Sequence, residues 1–384
     1  MAEVKDIKAA RRRRNSKKIV RRLIILGVTL VVIIGALVLR ETVSRENFMA
    51  SISDFFQSFG KGEGYPLTVP GSKTVQAIST DNGVAVLTQT QFFVYNKTGK
   101  ELQSDVHGFS NPLMKRSGNK IIVYDRGGNG VKVYSKTKLL FSKTYENTVY
   151  GVEISKKYIA VTTSSRTHSA EVMVYTTAYR EVMKWYCAEG RVTSICFDDS
   201  SSSMYASVVD ANGGDYLSTV YKINASKKTE EKSVPRQGIL ALSLKSIDGK
   251  IAVIGEDRVE FLNHELSLVG NYSYGDMAMV SYSDKMEDHI VLALSHSEND
   301  RGGTIVMLDG EGKTLAKIDV VEEIESLDGY KNNIVYISGK KLHIYNIRKG
   351  TTKTEPTSLD SFAITAGRDG VYTLDVTQIE KTNY

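Results

Sequence analysis

A recurring unit of about 40 residues is the feature that most constrains how this chain folds. Each unit reads as an apolar strand, a polar loop, a second strand ending in Val/Ile-Tyr or its equivalent, and a turn, as in "KIIVYDRGGNGVKVYSKTKLL". An apolar segment precedes each hairpin and a more polar one follows it, which gives about four strands per unit. The first strands of the hairpins start near Val84, Ile121, Ile159, Tyr205, Ile251, Ile290, Ile334 and Val371.

Four-stranded units of this length are typical of β-propeller blades. One such sheet cannot bury both of its faces alone, so neighbouring blades must cover them. The units are rich in Val, Ile and Tyr and lack stripes of 3.6-residue period, which disfavours a helical solenoid. We therefore expect an all-β propeller of eight four-stranded blades, with seven as the alternative. The last unit stops after three strands, so we expect "YPLTVPG", residues 65–71, to become the fourth strand of the final blade.

Charge and hydropathy set the region before the propeller apart. Residues 1–22 carry ten Lys or Arg against two acidic residues, a net +8, whereas the whole chain is +6. The high pI therefore belongs to a tail and does not indicate a nucleic-acid-binding domain. Residues 23–39 contain no charge and would form a helix of about 26 Å, at the short end of a membrane span.

We predict that residues 23–39 are an uncleaved transmembrane helix; the alternatives are a cleaved signal peptide and a buried soluble helix. Because Lys/Arg-rich flanks stay in the cytoplasm, the tail should be cytoplasmic and the domain of residues 65–384 extracytoplasmic. The tail is either a topology signal alone or also attracts anionic lipid.

Residues 40–64 form a predicted amphipathic stalk that ends in a Gly-rich break. Its apolar face would lie on the membrane interface, bind a partner helix or pack against the following domain. The residues of that face are Phe48, Ile52, Phe55, Phe56 and Phe59.

Two cysteines, Cys187 and Cys196, are the whole supply, so the chain is not a disulfide scaffold. The repeat places Cys187 near an outer strand and Cys196 on an inner one. Buried free thiols are the favoured interpretation, and a disulfide between them is the alternative.

The middle hairpins of blades two, three, four and six are longer than the others. In a propeller these hairpins share one face of the disk with the connections between blades, so the enlarged loops, residues 125–130, 164–171, 210–218 and 296–303, gather on one side. Loops on a rigid scaffold often carry binding residues. The alternative is a solvated hairpin without a ligand, with a local Asp–Arg pair in the two DRGG loops. The candidate binding residues are Asp125, Arg126, Arg166, His168, Asp210, Asp215, Asp300 and Arg301.

The "YDRGG" of blade two and the "NDRGG" of blade six carry a resemblance to known proteins. The chain resembles quinoprotein-like and WD40-like propellers, and more closely the uncharacterised single-pass bacterial membrane proteins in which a basic tail and one anchor precede such a domain. No Trp-Asp dipeptide ends the repeats, and Trp185 is the single Trp, whereas the docking motif of quinone enzymes is Trp-rich. We therefore expect no cofactor.

Catalytic and metal signals are weak. The six His residues are scattered, without the His pair and Glu of a zinc protease, and "DANGGD" lacks the final Glu of an EF-hand. There is no nucleophile elbow and no phosphate-binding glycine loop. We predict a non-enzymatic, membrane-anchored module that binds an envelope protein or polymer. The alternatives are an envelope enzyme, such as a quinone-dependent dehydrogenase, glycan hydrolase or lyase, and a protein whose cytoplasmic tail has the main role, binding acidic lipid or nucleic acid.

Overall fold

The computed structural model describes residues 19–33, 53–54, 60–286, 288–297, 300–358 and 360–384; at 212, 296, 297, 300 and 301 it describes the backbone alone. The chain forms two compact units, Met1–Met49 and Ala50–Tyr384. In the first, residues 19–33 form helix α1. Residues 34–39 of the predicted span and the aromatic positions of the predicted stalk lie outside the described residues. Within the described part of the chain, no helix is both long enough and apolar enough to cross a membrane.

The described residues of the second unit form 32 strands. In chain order they are β1 (Leu67–Thr68), β2 (Thr74–Thr80), β3 (Gly83–Thr88), β4 (Gln91–Asn96), β5 (Glu101–Val106), β6 (Pro112–Ser117), β7 (Lys120–Asp125), β8 (Gly130–Tyr134), β9 (Leu139–Thr144), β10 (Val149–Ile154), β11 (Tyr158–Thr163), β12 (Ala170–Thr176), β13 (Glu181–Cys187), β14 (Arg191–Phe197), β15 (Ser203–Asn212), β16 (Asp215–Asn224), β17 (Thr229–Gln237), β18 (Ala241–Ile247), β19 (Lys250–Gly255), β20 (Arg258–Leu262), β21 (Leu268–Ser273), β22 (Ala278–Ser283), β23 (Ile290–Ser297), β24 (Asp300–Leu308), β25 (Thr314–Val320), β26 (Ile324–Tyr330), β27 (Asn333–Ser338), β28 (Lys341–Asn346), β29 (Thr351–Pro356), β30 (Ala363–Gly367), β31 (Gly370–Leu374) and β32 (Gln378–Thr382).

These strands form eight antiparallel four-stranded sheets, which confirms the predicted eight-bladed propeller. Blades one to seven each use four consecutive strands, from β2–β5 to β26–β29. The first strand of each blade is innermost and the fourth is outermost. The eighth blade has the order β1-β32-β31-β30, so the segment before blade one supplies its outer strand, as predicted.

The burial of each strand explains the repeating sequence pattern. Second strands such as "GVAVLT" are buried at all or nearly all positions because neighbouring blades cover both faces of the sheet. Fourth strands such as "ELQSDV" alternate between partly buried and exposed residues, since one of their faces meets solvent. Both cysteines are buried and free, with Cys187 in the outer β13 and Cys196 in the inner β14, as predicted.

Ring closure rests on strand pairing within blade eight, whose outer strand β1 comes from the start of the domain, and on hydrogen bonds between blades eight and one. Leu67 pairs with Ile379 across β1 and β32. Between the inner strands, the Ser79 hydroxyl donates to the Ala366 carbonyl at 2.6 Å, and the Thr365 hydroxyl accepts from the Ser79 amide at 3.0 Å. The first and last blades are therefore joined near the axis as well as at the rim.

Candidate functional site

The two faces of the disk are built from different connections. One, the long-hairpin face, carries the loops between second and third strands and the connections between blades. The other, the turn face, carries the turns between first and second strands and between third and fourth strands. All eight candidate binding residues lie at or beside the loops of the long-hairpin face.

In blade two the structure separates the roles of Asp125 and Arg126. The carboxylate of Asp125, which is 9% exposed, accepts hydrogen bonds from the amides of Ser110 at 3.1 Å and Asn111 at 2.8 Å. These bonds hold the connection from blade one to blade two. Arg126 is exposed, lines the central cavity described below, and has no ion-pair partner among the described residues.

The blade-three loop presents Arg166 and His168, both exposed. The ring of His168 lies against that of Tyr186 on β13, with centroids 4.9 Å apart. His168 therefore belongs to the outer part of the disk, and neither residue borders the central cavity.

The predicted loop of blade four is instead an extension of two strands. β15 and β16 pair as far as Asn212 opposite Asp215, and a two-residue Gly213-Gly214 turn with positive φ closes the ribbon. Asp210 and Asp215 are exposed on this ribbon. A Gly-Gly pair is a hairpin turn signal, and backbone pairing continues through the polar residues beside it.

Blade six has a similar extended hairpin, in which Ser297 pairs with Asp300. Asp300 and Arg301 therefore lie at the start of β24 rather than in a loop, and their side chains are outside the described part of the structure.

A cavity of about 240 Å³ lies among the inner strands of blades two to six. Of the eight candidates, only Arg126 borders it, so the residues that form most of it were missed from the sequence. Besides Arg126, its polar lining comes from Lys115, Tyr124, Glu153, Thr162, Thr193, Ser194, Ser243 and Tyr282.

Lys115 on β6 and Glu153 on β10 form an ion pair across two blades inside this cavity. Burial is the largest influence on Glu153 and raises the pKa of that carboxyl, although the charge of Lys115 opposes it. For Lys115 burial is the largest single influence and lowers the pKa, but the charge and hydrogen bond of Glu153 together outweigh it, so the pKa is raised. Lys115 and Glu153 are thus each other's partners, whereas the Arg126 guanidinium has no acidic partner among the described residues.

A second polar cluster joins the inner strands of blades six, seven and eight. The carboxylate of Asp328, whose side chain is 2% exposed, accepts hydrogen bonds from Ser283 Oγ at 2.8 Å and the Ala366 amide at 2.9 Å. It also accepts one from Lys285 Nζ at 2.6 Å and one from the Gly329 amide at 2.8 Å. Because its oxygens are fully occupied, this cluster is structural.

Large apolar side chains are exposed where the central cavity reaches the long-hairpin face, a region here called the channel mouth. In blades three, five and six the inner strand has a register shift at Tyr150, Leu242 and Val280, and these residues are 49%, 42% and 50% exposed. A β-bulge leaves one extra residue of the strand unpaired and changes the direction of its side chain. Tyr150 and Leu242 line the cavity directly. Five further exposed large apolar residues lie on the same face: Val106, Tyr186, Tyr216, Val321 and Phe362.

The described residues contain no group of three or more His, Cys, Asp or Glu placed to hold a metal ion.

Comparison with known proteins gives a family and a fold. The model of a family of unknown function (DUF5711) matches residues 67–380. No curated protein matches the chain.

Among solved structures, the chain is similar to the computationally designed protein Ika8, with a TM-score of 0.61 and 14% identity over 83% of this chain and 98% of that one. It is similar to the C-terminal WD40 domain of Sif2, with a TM-score of 0.60 and 11% identity over 84% and 99%. It is also similar to BamB from Moraxella catarrhalis, with a TM-score of 0.53 and 10% identity over 82% and 97%. At these identities the likeness establishes the fold alone, and it confirms the expected resemblance to WD40-like and quinoprotein-like propellers.

Proposed function

Because the chain belongs to the DUF5711 family, whose function is unknown, we propose a function from its own geometry: a membrane-anchored, extracytoplasmic propeller that binds another protein through the mouth of its central channel. The anchor and the orientation are supported by the uncharged segment 23–39 behind a tail of net charge +8. We favour binding over catalysis because the described lining of the cavity holds the Lys115–Glu153 ion pair and the Arg126 guanidinium, and no nucleophile hydrogen-bonded to a base.

The observation that carries this proposal is the set of exposed apolar side chains at Tyr150, Leu242 and Val280 on the inner strands. Contiguous exposed apolar surface on a folded domain marks an interaction site, because it costs free energy to leave it in water. The three residues occupy the bulge position of the inner strand in blades three, five and six, so they lie along one side of the channel mouth. A binding site of this kind is concave, with apolar contacts around a few polar groups.

Charge indicates which segment fits there. Arg126 contributes a guanidinium without an acidic partner in the described residues, whereas Lys115 is already paired with Glu153. The best fit is therefore a loop or chain end that presents apolar residues around one carboxylate. Arg pairs with carboxylates through two parallel hydrogen bonds, which would fix the orientation of that segment.

The test begins with a photo-crosslinking amino acid at Leu242 in the full-length chain, which identifies the bound protein. Affinity for that protein is then measured for Leu242→Lys, Arg126→Glu and the matched control Leu315→Lys. Leu315 has the same 42% exposure but lies on the outer strand β25, away from the mouth. We expect both mouth variants to bind at least about tenfold more weakly and the control to bind normally. Equal affinity in all four proteins, or recovery of a polymer instead of a protein, would refute the proposal.

A further inference from the structure

The outer turns of the turn face carry a strong excess of positive charge. The turns between third and fourth strands, here called the basic rim, contain ten Lys or Arg and three Asp or Glu. The basic rim consists of residues 97–100, 135–138, 177–180, 225–228, 263–267, 309–313 and 347–350. Several of its cations, including Arg180, Arg348 and Lys349, are exposed and have no ion-pair partner in the described part of the chain.

The opposite face has the opposite charge. Its described loops and connections between blades contain four Lys or Arg and nine Asp or Glu. On the turn face, the described turns between first and second strands add five Lys or Arg and seven Asp, so that face as a whole contains fifteen basic and ten acidic residues. The two faces therefore carry net charges of opposite sign, and the positive excess of the turn face lies in the basic rim. At 0.1 M salt the screening length is about 10 Å, so a charged surface would attract the nearer face and ignore the farther one.

The chain enters the propeller through the basic rim. The carboxylate of Asp54 accepts hydrogen bonds from the hydroxyls of Ser135 at 3.0 Å and Thr137 at 2.7 Å, in the rim turn of blade two. The carbonyl of Gly60 and the amide of Gly64 bind Thr98 in the rim turn of blade one. The described residues just before the propeller, Asp54 and Gly60, thus contact the basic rim.

We propose that the basic rim docks on the phosphodiester headgroups of an anionic phospholipid bilayer, the same bilayer that holds the anchor. This inference rests on the proposed anchor, because the anchor brings the rim side of the disk to the membrane. Phospholipid headgroups supply dense negative charge at the place where the chain emerges, and dispersed lysines match it without a shaped pocket. Docking of the rim turns the channel mouth away from the membrane, where a protein partner can reach it.

The experiment uses full-length protein in lipid nanodiscs that carry a fluorescence quencher on their headgroups. An environment-sensitive fluorophore is attached at Thr351→Cys, beside the rim turn of blade seven, or at Tyr216→Cys on the long-hairpin face. The native Cys187 and Cys196 are 3% and 7% exposed, so labelling is confined to the introduced thiol. We expect quenching of the rim label in discs containing phosphatidylglycerol, weaker quenching in phosphatidylcholine discs or in 0.5 M salt, and none of the Tyr216→Cys label.

A triple variant with Arg180, Arg348 and Lys349 replaced by Gln tests the charges themselves. Each cation near an anionic surface favours the docked state by about fivefold, so three should lower the docking constant on the order of a hundredfold. In the matched control, Gln replaces three exposed lysines outside the rim, Lys73, Lys317 and Lys341, and this variant should dock normally.

The outcomes separate this inference from the proposed anchor. If the protein dissociates from phosphatidylcholine discs, the proposed anchor is wrong. Quenching of the rim label on phosphatidylglycerol vesicles would then still support docking of the rim, and its absence would refute docking. A rim label that is unquenched, or quenched equally with both lipids, overturns it. Binding of soluble polyphosphate by the rim without quenching by lipid overturns it as well.

Discussion

Replacement of Asp328 by Ala should destabilise the whole propeller, because this carboxylate ties three blades together near the axis. Without it the Ser283 hydroxyl and the Ala366 amide lose their acceptor in a site where the Asp328 side chain is 2% exposed. Each buried group left unsatisfied costs about 1–3 kcal/mol. The Lys285 side chain is 39% exposed and can be hydrated instead, so it adds little. For these two unsatisfied groups together, the expected loss is about 2–6 kcal/mol of unfolding free energy.

Urea unfolding of the full-length chain measures this loss, followed by circular dichroism and by the fluorescence of Trp185. Trp185 is 7% exposed in blade three, and its indole donates to a Glu230 carboxylate oxygen at 3.1 Å. Its fluorescence shows whether blade three unfolds in the same transition as the rest of the propeller. Asp288→Ala is the control, since Asp288 is exposed in the neighbouring turn and should change stability by less than about 0.5 kcal/mol. A loss below about 1 kcal/mol in Asp328→Ala would refute the assigned role of the carboxylate.

Three further predictions concern pH, backbone and topology. Burial lowers the pKa of His107, whose Nδ1 accepts a hydrogen bond from the Phe109 amide. The stability that neutral His107 contributes is therefore present above its unfolded pKa of about 6.5 and is lost as pH falls through the folded value. Between pH 7.5 and 5 the urea midpoint should fall less in His107→Gln than in the native protein, and equal falls would contradict this. Gly83→Ala should unfold at lower urea concentration than Gly108→Ala, because a Cβ at Gly83, where φ is +145°, would lie 2.0 Å from a backbone carbonyl oxygen, whereas the space beside Gly108 is open. On intact cells, a membrane-impermeant maleimide should label Tyr216→Cys without permeabilisation, and labelling only after permeabilisation would contradict the proposed orientation.

The blades were predictable because burial on both faces gives second strands an almost continuous apolar run, as in "KIIVYD". Closure was predictable because "YPLTVPG" has no hairpin before it, and an incomplete final sheet has an unpaired edge that another strand must cover. The free state of Cys187 and Cys196 followed from their assignment to an outer and an inner strand.

The candidate site was harder to predict, because it depends on single-residue irregularities. Leu242 sits in an apolar segment that reads as a regular buried strand, and only the register shift between Ala241 and Ser243 exposes it. Asp125 was proposed as a recognition residue from its place in a loop, yet its carboxylate binds backbone amides 14 and 15 residues earlier in the chain. Such pairings depend on how one blade meets the next, which the repeat pattern does not encode.

The central claim is that the two faces of the propeller act on different surroundings. Its most direct test is photo-crosslinking in intact cells from Val280 at the channel mouth and from Lys349 on the basic rim. We predict discrete protein adducts from Val280 and phospholipid adducts from Lys349. Lipid adducts at Val280 with protein adducts at Lys349, or the same products from both positions, would contradict the account.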